Sequence, residues 1–297
     1  MKTFEDIKKI AADNGIEIID FKMTDINGQL RHVSMPVNTV KADIFKDGIG
    51  FDASNYGYAV VEKSDMVFIP DADTAYIDPF AQIPTLCMCG DATVIDNPVN
   101  RPLAQYPRNV LKAAVQTLKN SGIADEMFIL PEFEFYLFDN VTWNVGPDNI
   151  SADIDSDQAH WNSGLQGQGN VVPKQKAYHV DRPLDVSFDA RNKMVVTMEK
   201  LGIPVKYHHP EVGSAGQFEI EPIMGEVTKM ADATVFIKHI VKNVAKEYGF
   251  TATFMPKPVY GEAGNGMHVH IILKKDGKSV FQIKTAIQVL AKRHFTS

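Results

Sequence analysis

The sequence predicts an α+β protein built in two parts, and three observations carry that prediction. Short strand-like runs dominate the first hundred residues, among them IEIIDFKMTDI and QLRHVSMPV on either side of Asn27-Gly28. A junction rich in proline and turn formers, NPVNRPLAQYP, then begins at Asn97. Beyond it the texture changes to helices alternating with strands. With 297 residues and 44% hydrophobic content the chain can bury more than one core. The expected parts are residues 1–100 and 101–297, divided near residues 97–106.

Taken in order, residues 4–13 place apolar and charged residues at helical spacing, and Gly15 ends that helix. Asn27-Gly28 predicts a tight hairpin turn with positive φ angles, joining the two strand-like runs. Residues 48–59, GIGFDASNYGYA, read as a loop of small and polar residues, with strands following in VEKSDMVFIPD and TAYID. Asp52 is the loop's only acid, and such residues commonly serve turns. His32 and His239 are expected to be structural, each on a predicted element with no other ligand type beside it. Cys87 and Cys89 share a face of one strand and read as small core residues, because no second cysteine pair could complete a zinc site.

In the second part, Val110, Leu111, Ala114, Val115 and Leu118 form a helical stripe with Pro107 near its start and Gly122 past its end. MFILPEFEFYLFD follows as one long strand, with Glu132 and Glu134 on the face shared by Phe128, Leu130, Tyr136 and Phe138. Aromatic residues on both of its faces predict a sheet covered on both sides. Residues 140–176 are polar and lack periodicity, and they carry both tryptophans, Trp143 and Trp161. Helices are expected over 188–201 and 228–248, and an amphipathic segment over 284–294.

Charge and hydropathy exclude some functions. Thirty Lys and Arg against 37 Asp and Glu give a formal charge of −7, so no general basic surface is available to nucleic acid or to an anionic membrane. No apolar run is long enough to span a bilayer as a helix, and the start, MKTFEDIKKIAADNG, lacks a signal core. A cytoplasmic location is the default expectation.

Four motifs ask for a common explanation. In YHHPEVGSAGQFEIE, Glu211 and Glu219 lie on either side of a small-residue bend, and Gln217, Glu219 and Glu221 share a strand face opposite Phe218 and Ile220. Glu132 and Glu134 share another strand face. GEAGNG is a turn whose glycines permit close backbone approach to a ligand, and it leads into a strand where His268 and His270 point the same way. Several carboxylates with one imidazole suit a hard divalent cation such as Mg²⁺ or Mn²⁺, which prefers oxygen ligands and works with phosphorylated substrates.

In this order and spacing, PEFEFYLFD, Tyr178, HHPEVGSAGQFEIE and MPKPVYGEAGNGMHVH resemble the glutamine synthetase family over nearly the whole chain. The resemblance implies a small β-grasp domain followed by a catalytic domain with a mainly antiparallel sheet and flanking helices. It also implies a ring-shaped homo-oligomer with sites between neighbouring subunits. The implied activity is ATP-dependent ligation of ammonia to glutamate through γ-glutamyl phosphate. By position, Glu134, Glu211 and Glu219 would hold one metal, and Glu132 and His268 would help hold a second that bridges the ATP phosphates. Asp52 would reach a neighbour's site to take a proton from ammonium, with Tyr178 beside that ammonium. Gly264 would approach substrate glutamate by its backbone, and His270 would lie on the nucleotide side.

Some positions depart from the family pattern. Ala263 stands where an asparagine contacting glutamate is usual, Ile272 where a serine is, and Asn55 where a serine is commoner. Family members continue well beyond Ser297, into a segment with a flap glutamate, phosphate-holding arginines and the last ligand of the second metal. The chain is therefore expected to be a truncated product or a fragment of a longer enzyme. Three readings stand: a glutamate ligase for ammonia or a small amine such as methylamine, a non-catalytic oligomer-forming subunit, and a metal-dependent hydrolase acting without ATP.

Overall fold

The helix Phe4–Asp13 begins at Thr3, whose hydroxyl accepts from the Asp6 amide while the Asp6 carboxylate accepts from the Thr3 amide. Two otherwise unpaired donors are satisfied reciprocally, which fixes where the helix starts. The structure is a computed structural model describing residues 2–96 and 99–281.

Strands Ile18–Thr24 and Leu30–Pro36 form the expected hairpin. Its turn is wider than the two-residue turn expected from Asn27-Gly28. The Asp25 amide donates to the Gln29 carbonyl, the Gly28 amide donates to the Asp25 carbonyl, and Gly28 adopts φ +79° while Asn27 does not reach positive φ. This is a three-residue loop closed by a glycine bulge. The Asp25 carboxylate stabilises it by accepting from the Asn27 and Gln29 amides, each at 2.9 Å.

Ile18–Thr24 continues the sheet by running parallel to Thr85–Met88, which pairs with Tyr76–Ile77. A second, antiparallel sheet joins Ile49–Asp52, Asp65–Pro70, Gly90–Val94 and Arg101–Pro102. The expected loop over 48–59 thus opens with a strand that ends at Asp52. Ile7, Phe21, Phe68, Leu86 and Met88 form a core between the helix and the two sheets. Cys87 and Cys89 are buried and unbridged, as expected, and burial pushes the Cys87 thiol up to about 12.

The helix Pro107–Asn120 has its proline at the first turn. The run MFILPEFEFYLFD, expected as one strand, divides at Pro131. Glu126–Pro131 pairs with Val269–Lys275 and Gly225–Glu226, whereas Phe133–Phe138 pairs with Gln217–Pro222 and Thr251–Thr253 in a different sheet. Val205–Pro210 forms the edge of that second sheet, beyond Gln217–Pro222. Glu132 therefore stands at a corner between two antiparallel sheets, where its amide donates to the His268 carbonyl.

Both faces of Phe133–Phe138 are covered, as its aromatic content implied. Phe133, Phe135 and Leu137 pack with Phe218 and Ile220 against the helices Phe188–Lys200 and Val227–Glu247, and Tyr136 and Phe138 pack with Ala159, Ala215 and Val259. Residues 140–176, read as aperiodic, contain a hairpin of Asn140–Val145 with Ile150–Asp155. No described helix is long and apolar enough to cross a membrane. The segment expected over 284–294 lies outside the described residues.

Candidate functional site

The site grows from the bend between Val205–Pro210 and Gln217–Pro222. The Glu211 amide donates to the Gln217 carbonyl, and the Gln217 amide donates to the Gly213 carbonyl. A side chain at 213 is impossible without rearrangement, because a Cβ there would lie 2.1 Å from the Tyr136 hydroxyl. The bend so fixed aligns the acids by sheet register. Glu219 lies opposite Glu134 on one side and opposite His209 on the other. His209 Nδ1 is 3.6 Å from a Glu211 oxygen, and its Nε2 is 4.0 Å from a Glu219 oxygen.

The sheet corner adds the remaining groups. One Glu132 oxygen is 2.9 Å from His268 Nδ1 and the other is 2.8 Å from His270 Nε2. His268 Nδ1 also lies 3.9 Å from Glu134. Glu134 accepts from the Gly266 amide at 3.0 Å and from the Gln217 side chain at 3.2 Å. Gly264 and Gly266 allow this closeness, since a Cβ at 264 would sit 2.5 Å from the Pro256 carbonyl and one at 266 would sit 2.9 Å from Glu134. The Gln217 amide group also donates to the Gly264 carbonyl at 2.9 Å, and the Tyr136 hydroxyl donates to the Ala263 carbonyl at 2.6 Å. The glycine-rich turn is thus tied to the acid-bearing strands at three of its residues, Ala263, Gly264 and Gly266.

Electrostatics follow from this crowding. Burial, followed by the charges of Glu132, Glu211, Glu134 and Glu221, pushes the Glu219 carboxyl up to about 7. Burial also acts to raise Glu132, but hydrogen bonds from His270 and His268 outweigh it and hold this carboxyl below its ordinary value. His268 is raised in turn, chiefly by its hydrogen bond to Glu132. The cluster concentrates negative charge that imidazoles offset only partly. One ligand atom each from His209, Glu211 and Glu219 lies within 4.8 Å of the others, and such an oxygen-rich set fits a hard divalent cation.

Of the residues singled out from sequence, Glu132, Glu134, Glu211, Glu219, His268, His270 and Gly264 converge here. Tyr178 meets the group from outside, its ring edge-on to that of His209 at 5.5 Å. Asp52 does not join it. It ends a strand of the first-part sheet, and its carboxylate accepts from the Ser54 amide and hydroxyl and from Asn55. Those bonds, Ser54 foremost, hold it below the ordinary carboxylate range, which keeps it anionic.

Four residues were not singled out as site residues: His209, Gln217, Glu221 and Glu262. The first three were within reach of the two-residue strand period, which sets His209 in step with Glu211 and puts Gln217 and Glu221 on the face of Glu219. Glu262 left no such signal. Its buried carboxylate accepts from the Ser214 hydroxyl at 2.9 Å and lies 3.3 Å from His160, joining the glycine-rich turn to two distant segments.

Comparison with known proteins places this geometry. Residues 15–94 match the family described as glutamine synthetase, beta-Grasp domain, and residues 104–293 match glutamine synthetase, catalytic domain. A 3-hydroxylaminophenol mutase of Cupriavidus pinatubonensis is 40% identical over 93% of this chain and 59% of its own length. A glutamine synthetase of Haemophilus influenzae is 40% identical over 92% of this chain and 59% of its own. The structure of Plasmodium falciparum glutamine synthetase superposes with a TM-score of 0.84 at 25% identity, covering 97% of this chain and 57% of that one. The chain thus spans about three fifths of the length of the curated relatives it matches.

Proposed function

The chain belongs to the glutamine synthetase family, and from that premise we propose that it serves an ATP-dependent ligase that forms an amide at the γ-carboxylate of glutamate. The observation that carries this reading is the convergence of Glu132, Glu134, Glu211, Glu219 and His268 around a turn held by Gln217 and Tyr136. In the reaction a γ-carboxylate oxygen of glutamate takes the γ-phosphoryl group of ATP, and ADP leaves. The amine nitrogen then bonds to the acyl carbon, the carbon–oxygen bond to phosphate breaks, and phosphate departs.

Glu134, Glu211 and Glu219 are the residues to hold one Mg²⁺ or Mn²⁺, with His209 as a further donor, and Glu132 with His268 the residues for a second. Such ions, when bound, neutralise phosphate charge and align the carboxylate with the γ-phosphate. The chain's own groups supply position. Gln217 fixes Glu134 and the Gly264 carbonyl together, so the turn that approaches glutamate and a metal-binding acid move as one. Tyr178, half-exposed beside His209, is the group to face the incoming amine. Asp52, exposed and anionic in its loop, suits a role in a neighbouring copy's site, where it would hold ammonium and accept its proton in a homo-oligomeric ring.

The two relatives at 40% identity carry different activity names, so the acceptor is assigned by experiment. The purified chain is given ATP, glutamate and Mg²⁺ or Mn²⁺, and ADP is followed with ammonium, with methylamine and with no amine. Amine-dependent ADP release is the expected result, and the preferred amine names the ligase. Folded protein with no release would favour the second reading, a metal-binding and oligomer-forming unit without turnover.

A further inference from the structure

We propose that Glu221, together with Glu132 and Glu219, forms a carboxylate-only position for a divalent cation, distinct from the set His209, Glu211 and Glu219. The inference concerns Glu221, to which neither the family resemblance nor the site described above gives a role. It rests on the reading of the acid cluster as metal-binding.

Glu219 and Glu221 are two residues apart on the strand Gln217–Pro222, so they share a face, and the corner at Glu132 brings a third carboxylate to them. One oxygen from each of the three lies within 4.8 Å of the other two, close enough for a single ion of the Mg²⁺, Mn²⁺ or Ca²⁺ class. Three acids alone would not argue for a ligand.

The independent observation is the state of Glu221. The residue is only 2% exposed, and the two oxygens of its carboxylate differ. Oε1 is paired with Lys206 Nζ at 2.7 Å, whereas Oε2 is buried and, among the described residues, has no hydrogen-bond partner. Leaving a buried carboxylate oxygen unpaired costs free energy that native structures rarely accept, and an ion is one of the recognised reasons for such an orphan. Nearby protein cations do not meet the need. Lys206 is engaged by the opposite oxygen and its side chain is half-exposed, and the imidazoles of His268 and His270 are directed at Glu132. A hard cation would meet it, because its preferred ligands are the oxygens present. Two cation positions then share the Glu219 carboxylate.

The test measures Mn²⁺ binding to the full chain without nucleotide or glutamate, by calorimetry and by the loss of free-Mn²⁺ paramagnetic resonance signal. Glu221→Gln keeps the shape and the partner of Lys206 while weakening the oxygen donor. It is expected to lose one bound Mn²⁺, or to bind it at least about tenfold more weakly, a loss of about 1.4 kcal/mol, while the position at Glu211 is retained. Glu211→Gln is expected to do the reverse. Lys206→Met removes the competing cation and is expected to tighten the Glu221 position several-fold, an effect that a merely structural Glu221 would not produce. Mn²⁺ bound by the wild type but indifferent to Glu221→Gln and Lys206→Met overturns the inference and leaves the rest of the metal reading standing. No Mn²⁺ bound at all overturns both.

Discussion

Arg191 shows how single side chains hold the site strand in place. It is 1% exposed, yet each of its three guanidinium nitrogens has a partner. It donates two bonds to Asp185, at 2.7 and 2.6 Å, and one to Ser187, and it lies over the Phe218 ring at 4.5 Å. Its Nε–H points to His208 Nδ1 at 3.3 Å. Burial, then the Arg191 charge, drive His208 down to about 4, so the imidazole is neutral and can accept that bond. The sign for stability follows from the depressed value. A histidine harder to protonate in the fold than in the open chain contributes fully above its ordinary 6.5, and that contribution is lost as pH falls through about 4. The loss expected from this residue is on the order of 2 kcal/mol once solvent screening is allowed for. Urea denaturation at pH 7 and pH 4.5 measures it. His208→Asn, which cannot titrate, should show a distinctly flatter pH dependence than the wild type, and equal slopes would sink the assignment.

Among the elements, legibility in the sequence followed how strictly the chain's pattern obeyed one period. The helices Phe4–Asp13 and Val227–Glu247 and the face alternation of Gln217–Pro222 were readable because each keeps a single period of apolar residues along its length. The break at Pro131 was not, since apolar alternation runs through it unchanged while hydrogen bonding switches to another sheet. That corner is what brings Glu132 to His268 and His270, so pairing, which a single sequence does not display, made part of the site. The hairpin over 140–155 was hidden for a different reason. Its pairs Val141–Ile154, Trp143–Ala152 and Val145–Ile150 put apolar residues on one face, but only the base at Val141 and Ile154 packs on the core. Trp143 and Ile150 remain 73% and 79% exposed. Polar replacement there should therefore leave monomer stability within about 0.5 kcal/mol in denaturant titrations, whereas Phe135→Ala, in the core, should cost about 3–5 kcal/mol. A large loss from Trp143→Ser would mean that the face is covered in solution.

At the scale of the whole molecule, one residue ties the first-part sheets to the helical layer behind the site. Arg108 in the helix Pro107–Asn120 donates to Asp71 and Asp91, both contributed by the first part, and binds Asp232 of Val227–Glu247 through two nitrogens at 2.8 and 3.0 Å. Three acids around Arg108, with Lys112 also on Asp91, leave the balance negative. Burial outweighs Arg108 at Asp232 and keeps that carboxyl above its ordinary value. Removing the cation would strand these charges, which predicts a loss of about 3–5 kcal/mol for Arg108→Met at pH 8. The loss must be smaller at pH 5, because a raised carboxyl deprived of its partner can take a proton and cease to be a buried charge. Denaturant titrations of the variant and the wild type at both pH values decide the matter. A loss that does not shrink on acidification would mean that Arg108 acts by packing its alkyl stem and not by neutralising the acids. In that case the two parts are held together by apolar contacts such as Tyr76 on Phe236, whose rings meet edge-on at 4.6 Å, and the join would be insensitive to pH and salt. Salt separates the two outcomes less sharply than pH does, since side chains exposed by only 11–33% are weakly screened.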